Sequence, residues 1–118
     1  MDSLGNTVRK LRKDKRLPLW TVAAFIDIDQ AILSKIERGQ HQPTRKQVVK
    51  LAEYFEVKKN HLLFEWLSDK LVYEVEDEDM ALKALQGAEK RVQYFAKPKY
   101  SKSSSINSIK SVLKLMGG

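Results

Sequence analysis

Residues that could carry out catalysis or bind a metal are few in this chain. It has no cysteine and two histidines, His41 and His61, and neither has an obvious carboxylate or serine partner in the sequence. The acidic run from Glu74 to Asp79 lacks the ligand spacing and the glycine of a calcium-binding loop. The sequence also has no glycine-rich phosphate-binding loop. We therefore expect a protein that is not an enzyme and that needs no metal or cofactor.

The distribution of charge is compatible with an anionic partner. The 118 residues carry a formal net charge of +7. Residues 1–67 hold 13 basic and 8 acidic side chains, residues 68–96 hold 4 and 7, and residues 97–118 hold 5 and 0. A basic surface attracts nucleic acid, but many other soluble proteins have a similar charge. The six basic residues between Arg9 and Arg16 either reach phosphates or keep the domain soluble, and both interpretations are open.

The elements that would position functional residues are helical. No segment alternates for long with the two-residue period of a strand. Apolar residues recur at helical spacing instead, and capping residues mark several helix starts. The predicted helices are Leu4 to about Asp14, Leu19 to Ile26, Gln30 to Arg38, Thr44 to Phe55, about Asn60 to Leu67, Leu67 to Val75, and Glu78 to Ala96. The predicted fold class is therefore all-α.

The stretch from Leu17 to Gly39 carries the strongest functional signal. It contains two short helices separated by a tight turn, and the second helix can present its outer face to a DNA major groove. Asp29 is a suitable N-cap for this second helix, and Gly39 can supply the left-handed residue that closes it. On residue types alone, however, a merely solvated helix face explains the polar residues better.

The chain resembles the phage-repressor-like helix-turn-helix family, also called the xenobiotic response element family. The shared residues are Leu4-Gly5, Val8, Leu11-Arg12, Leu17, Val22-Ala23, Ile28, Ser34 to Gly39, Pro43-Thr44, Leu51-Ala52 and Val57. The resemblance covers residues 4–67. It implies a five-helix DNA-binding domain whose third helix is the recognition helix, as in small transcription regulators such as restriction-modification controllers.

The resemblance also implies roles for individual residues. The residues at positions where relatives contact bases are Gln30, Ala31, Ser34 and Lys35. Glutamine can bond adenine, lysine can donate to guanine, and an alanine methyl can meet a thymine methyl, so the chemistry fits. The residues at phosphate-contacting positions are Arg38, Gln40, Gln42, Thr44 and Arg45. Arg12 and Glu37 fall where relatives form a structural ion pair between the first and third helices.

Three residues or pairs depart from the family pattern. Pro18-Leu19 replace the Ser-Gln pair that usually caps the second helix and contacts DNA, so that contact is expected to be lost. Asp27 replaces a frequent glycine in the turn, which is acceptable because aspartate tolerates the left-handed conformation. Trp20 stands where relatives are polar. It either forms an apolar patch with Leu19 that another segment or a partner covers, or it is a single exposed aromatic residue.

The chain beyond residue 67 suggests a dimerisation element. Apolar residues recur there at spacings of three and four, as in a short coiled-coil seam. The candidate dimerisation residues are Leu71, Val75, Leu85, Ala88, Val92 and Phe95. The same seam could instead pack on its own subunit. We therefore expect three parts: a DNA-binding domain over 1–67, a helical extension over 68–96, and a basic Ser/Lys-rich linker with a short amphipathic tail over 97–118.

Together these features predict a homodimeric transcription regulator that binds double-stranded DNA at a pseudo-palindromic operator, as a repressor or autoregulator. The longest uncharged run is shorter than the ~20 residues of a membrane helix, so we expect a cytoplasmic protein that joins the nucleoid when bound to DNA. An alternative from another class is an adaptor or antitoxin. An adaptor would use the helix-turn-helix as a scaffold and bind a protein partner through Trp20, the apolar seam and the C-terminal amphipathic segment. An antitoxin would bind a toxin through the C-terminal tail.

Overall fold

The computed structural model describes residues 3–96, and this part of the chain is all-α with no strand. The predicted fold class is therefore confirmed. The helices are α1 Leu4–Asp14, α2 Leu19–Phe25, α3 Gln30–Glu37, α4 Arg45–Phe55, α5 Lys59–Val75 and α6 Ala81–Ala96. The linker and amphipathic tail expected over 97–118 lie outside the described residues.

Local side-chain bonds explain two of the helix starts. The Ser3 hydroxyl accepts a hydrogen bond from the Asn6 amide at 3.3 Å and begins α1. Thr44 and Gln47 form a reciprocal capping box at α4, in which each backbone amide donates to the other side chain at 2.9 and 3.2 Å. Asp29 occupies the N-cap position of α3, but its side chain makes no cap hydrogen bond.

The core lies among helices α1 to α5. Its buried apolar side chains are Leu4, Val8, Val22, Ala23, Ile26, Leu33, Ile36, Val48, Leu51, Ala52, Phe55, Leu62, Leu63 and Trp66. Leu67 follows the buried Trp66 directly in α5, but it is 48% exposed. The reason is geometric: each helical residue turns the side-chain direction by about 100°, which carries Leu67 beyond the buried face that Leu62 and Trp66 define.

The two helices predicted for residues 60–75 are one helix. Helix α5 runs without a break through Leu67, where the sequence suggested both a helix end and a domain boundary. The described residues fall into two compact units, one ending at Glu74 and one beginning at Val75. Helix α6 belongs to the second unit and begins at Ala81 rather than Glu78, because the Ala81 amide donates to the Glu78 carbonyl in a turn at 3.2 Å.

No helix within residues 3–96 is long and apolar enough to span a lipid bilayer.

Candidate DNA-binding interface

The connection between α2 and α3 is a tight turn that fixes their relative direction. Asp27 adopts the left-handed conformation with φ of 60°, as expected for a residue that replaces glycine here. The Ile28 amide then donates to the Ala23 carbonyl at 3.0 Å. Leu33 and Ile36 are buried, so they hold the inner face of α3 on the core. The outer face of α3 is thereby directed away from the core.

The structure brings the four expected base-contacting residues together on the outer part of α3. Gln30, Ala31 and Lys35 are exposed, and Ser34 is half-buried. Residues three and four apart lie on the same side of a helix, so Ala31, Ser34 and Lys35 are neighbours on one surface. This surface offers an ammonium, a hydroxyl and a methyl group, and Gln30 adds an amide at the start of the helix. Such groups can contact base edges in a major groove.

The loop after α3 presents the expected phosphate-contacting residues. Arg38, Gln40, Gln42, Thr44 and Arg45 are all exposed. Gly39 closes α3 with φ of 75°, and the Gln40 amide donates back to the Lys35 carbonyl at 2.8 Å. These bonds turn the chain sharply after α3, so the loop lies next to the outer face of that helix.

Trp66 anchors this loop. The sequence did not predict this contact. Its indole N–H donates to the Pro43 carbonyl at 2.8 Å, and both residues are buried. The exposed residues Gln42 and Thr44 flank the anchored position on either side. A buried tryptophan usually finds a partner for its N–H, so the need for an acceptor could have been anticipated. Which carbonyl supplies it is a tertiary feature that spacing does not reveal.

The hydrogen bond from Trp66 to the Pro43 carbonyl leads to a prediction for DNA binding. Replacing Trp66 with phenylalanine keeps a buried ring but leaves the Pro43 carbonyl without its donor. We expect the free energy of unfolding to fall by about 1–3 kcal/mol. Affinity for cognate and random DNA should fall by the same factor, because phosphate contacts carry no sequence information. Urea denaturation and fluorescence anisotropy would measure the two effects. Trp20→Phe is the matched control, and a loss confined to cognate DNA would contradict the prediction.

Arg12 and Glu37 connect α1 to α3 by a bidentate ion pair. The Arg12 Nε donates to Glu37 Oε2 at 2.7 Å and Nη2 donates to Oε1 at 2.9 Å. The Arg12 Nη1 also donates to the Leu17 carbonyl at 2.9 Å, so one guanidinium holds α1, the α1–α2 connection and the end of α3. The side chains are only 13% and 5% exposed. The pair therefore fixes the position of α3 from inside the domain.

The same pair affects the ionisation of arginine. The hydrogen bond from Arg12 to Glu37 raises the pKa of Arg12 above its ordinary value, and this outweighs the opposing effect of burial. A raised pKa in the folded state means that the cation stabilises the fold at any pH below the unfolded-state pKa. That contribution is lost only when the pH rises through the raised pKa. Arg12 therefore contributes fully at neutral pH.

Two acidic residues of α5 hold the start of α1, and sequence analysis missed both. Asp69 Oδ2 accepts from the Leu4 amide at 2.9 Å, and Glu65 Oε2 accepts from the Thr7 hydroxyl at 2.8 Å. Both carboxylates lie near a helix N-terminus, where negative charge is favourable. The partners are 65 and 58 residues apart in the chain, so only the fold brings them together.

The aromatic residues of α2 differ in how much of them is covered. Trp20 is 64% exposed, as expected for a side chain without a place in the core. Leu19 is half-buried and packs against the core, so it does not share Trp20's exposed position. Phe25 is 47% exposed, although its ring lies 4.8 Å from that of Tyr54.

The two histidines differ in their surroundings. The Nε2 of His61 lies 4.0 Å from Oε1 of Glu65, four residues further along α5, so a carboxylate is near after all. His41 is exposed in the loop after α3. Within residues 3–96, no three His, Cys, Asp or Glu side chains are grouped as a metal site would require.

Comparison with known proteins assigns the class of this domain. Residues 8–62 match the family model described as helix-turn-helix, which covers the α2–turn–α3 unit and the loop after it. Searches of curated proteins and of solved structures gave no significant match. This part of the chain is a phage-repressor-like helix-turn-helix domain, the kind found in DNA-binding transcription regulators. This family is a DNA-binding regulatory family rather than an enzyme family.

Proposed function

We propose that the protein is a homodimeric transcription regulator that binds a pseudo-palindromic operator in the cytoplasm and represses or autoregulates a nearby promoter. The main support is the outer face of α3, where Ala31 and Lys35 are exposed while Leu33 and Ile36 are buried. A helix held in this way can enter a major groove without disturbing the core.

The contacts divide into two kinds. Gln30, Ala31, Ser34 and Lys35 contact base edges and determine which sequence is bound. The exposed residues of the following loop contact phosphates, and these are Arg38, Gln40, Gln42, Thr44 and Arg45. Phosphate contacts fix the register of the protein on the duplex and supply much of the affinity. The Arg12–Glu37 pair stays inside the domain and has a structural role.

Dimerisation follows from the small number of base contacts that one recognition helix can make. Two copies spaced one turn of DNA apart, ~34 Å, read both halves of a pseudo-palindrome. The proposed interface residues retain exposed apolar surface. Leu71, Val92 and Phe95 are 49–56% exposed, Ala88 is exposed, and Val75 and Leu85 are half-buried. A second copy of the chain would remove this surface from water.

The test compares DNA sequences and variants in one titration. The full chain is mixed with a labelled fragment from its own upstream region and with random DNA, and fluorescence anisotropy is measured at several salt concentrations. We expect tight binding of the upstream fragment with a steep salt slope. Gln30→Ala or Lys35→Ala should reduce preference for that fragment by about 10-fold or more, because each good base contact contributes ~1–3 kcal/mol of discrimination.

The control for the charge change is Lys58→Ala, which removes an exposed lysine outside the proposed contacts and should leave discrimination unchanged. Light scattering should give two chains per operator. Equal affinity for upstream and random DNA would contradict sequence-specific regulation.

A protein-binding adaptor is the second candidate, and the exposure of Trp20 favours it. Its side chain is 64% exposed and offers an apolar surface that a protein partner could cover. In an adaptor, Trp20→Ala would abolish binding of a protein partner and leave DNA affinity unchanged. In the proposed regulator, the α3 variants would abolish DNA discrimination.

A further inference from the structure

The side of α5 that points away from the core is apolar. Phe64, Leu67 and Leu71 are 57%, 48% and 56% exposed. They are three and four positions apart, so they form one stripe along the helix, here called the outer stripe. The opposite side of α5 holds Leu62 and Trp66, which are buried in the core. A helix that is apolar on opposite sides is normally covered on both, so the outer stripe needs a second covering element.

An open groove extends the outer stripe towards α1. It has a volume of about 490 Å³ and is lined by Phe64 of α5 and Leu11 of α1. One water molecule occupies only ~30 Å³ in the liquid, so the groove has room for side chains of another segment. Lys10 and Asp14 also line it, and their charges offset each other. The groove and the outer stripe together offer a continuous apolar surface.

The C-terminal tail of the same chain has the pattern that this surface requires. Residues 97–118 lie outside the described part of the chain, but their sequence is apolar at spacings of three and four. These apolar residues are Ile106, Ile109, Leu113 and Met116. At 1.5 Å per residue the pattern would span ~15 Å as a helix, and the stripe from Phe64 to Leu71 spans ~11 Å. The groove at Leu11 accounts for the remaining length.

Charge favours the outer stripe over α6 as the place where the tail binds. Residues 97–118 carry 5 basic and no acidic side chains. Helix α6 also exposes apolar residues, but it carries three basic residues and one acidic residue, which disfavours a basic segment. On α5 the exposed Glu74 lies three residues after Leu71, on the same side of the helix. The C-terminus of α5 adds partial negative charge there.

The linker is long enough to bring the tail back to α5. Helix α6 has 16 residues and is therefore ~24 Å long. Residues 97–105 span ~30 Å when fully extended. The linker can thus run back along the whole of α6 towards the last turns of α5, whatever direction α6 takes. Because the tail is tethered, its effective concentration is about millimolar, so a weak contact is sufficient.

We infer that residues 106–116 form an amphipathic helix that docks on the outer stripe of α5 in the same chain. The apolar side of this helix covers Phe64, Leu67 and Leu71, and its lysines remain near Glu74 and solvent. Leu71 is also a proposed dimerisation residue, but the other five lie at or beyond Val75. The inference therefore does not rest on the proposed regulatory function.

The experiment places a nitroxide spin label on the tail of the full chain. The protein has no cysteine, so Ser111→Cys provides a single attachment site outside the apolar residues of the tail. Two-dimensional NMR then compares the amide signals with the label oxidised and reduced. We expect the oxidised label to broaden the signals of Phe64, Leu67 and Leu71. The broadening should not depend on protein concentration, because the contact lies within one chain.

Two pairs of substitutions in the labelled chain test the contact from both sides. Leu113→Asp should abolish the broadening, whereas Asn107→Asp adds the same side chain outside the apolar face of the tail and should retain it. Leu67→Asp on the outer stripe should also abolish it. Leu82→Asp makes the same change on α6, at a residue that is 76% exposed, and should retain it. Leu67 and Leu82 are both exposed, so these two variants are expected to fold, and circular dichroism would check this.

Three results would overturn the inference. Broadening confined to α6 would mean that the tail packs on that helix instead. Equal broadening in an isotope-labelled, cysteine-free chain mixed with the spin-labelled chain would place the tail on a second copy. No broadening of α5 at all would mean that the outer stripe is left for another partner. The test does not involve DNA, so its outcome is independent of operator binding.

Discussion

Arg12→Ala is expected to lower the free energy of unfolding by about 3–5 kcal/mol, because it leaves Glu37 as a buried charge without its partner. Glu37 is 6% exposed, and the guanidinium provides both of its hydrogen bonds in the ion pair. The substitution also removes the bond to the Leu17 carbonyl. A loss of this size is a large part of the stability of a small domain. Urea denaturation followed by circular dichroism would measure it.

The destabilisation by Arg12→Ala is expected to arise from the unpaired charge of Glu37. Further variants distinguish this cause from the loss of side-chain packing. Glu37→Gln, which keeps the shape of the side chain, should also destabilise the domain. Replacing both residues by methionine should cost less than the sum of the single losses, because no charge is then left buried. Arg9→Ala removes an exposed arginine of the same helix and should change stability by less than ~0.5 kcal/mol. Strict additivity in the double variant would contradict this explanation.

Loss of the ion pair should also affect DNA recognition. Arg12 fixes the end of α3 to α1, so α3, the proposed recognition helix, gains freedom when the pair is removed. Under conditions in which the variant is still folded, we expect its discrimination between upstream and random DNA to fall. The loop that we propose to contact phosphates is held separately by Trp66, so nonspecific affinity should change less.

Features that depend on neighbouring residues were predictable from the sequence. The caps at Ser3 and Thr44 and the left-handed turn residue Asp27 are set by bonds and backbone preferences within a few positions. The buried residues Leu33 and Ile36 of α3 are three positions apart, a spacing that places two residues on one face of a helix. The class of the domain followed from many such local features occurring in one order.

Features that depend on distant contacts were not predictable in this way. The bonds from Leu4 to Asp69 and from Trp66 to Pro43 join residues 65 and 23 positions apart. Hydrophobic spacing identifies which face of a helix is buried, but not which polar atoms meet there. An apolar residue beside a buried stripe, such as the 48% exposed Leu67, fits the same pattern whether or not another helix covers it.

Gly5→Ala is expected to destabilise the domain by about 3 kcal/mol, although alanine is the better helix former by ~1 kcal/mol. A Cβ atom built at Gly5 would overlap the Ile36 carbonyl oxygen and lie 2.7 Å from that of Glu37. Both obstacles are backbone atoms, so no side-chain rotation relieves them. Helix α1 must then move away from the end of α3, which also strains the Arg12–Glu37 pair. Thermal and urea denaturation would measure the loss.

Substitution of a second glycine distinguishes the effect of this backbone clash from the effect of helix propensity. Gly87 lies within α6, and a Cβ atom there meets no heavy atom within 4 Å among its surroundings in the described chain. Gly87→Ala should therefore leave helix content unchanged or increase it, because only the propensity gain applies. The two substitutions make the same chemical change and are expected to act in opposite directions. If both stabilised the protein, the close approach of α1 to α3 would not hold in solution, and the basis for the fixed recognition helix would be lost.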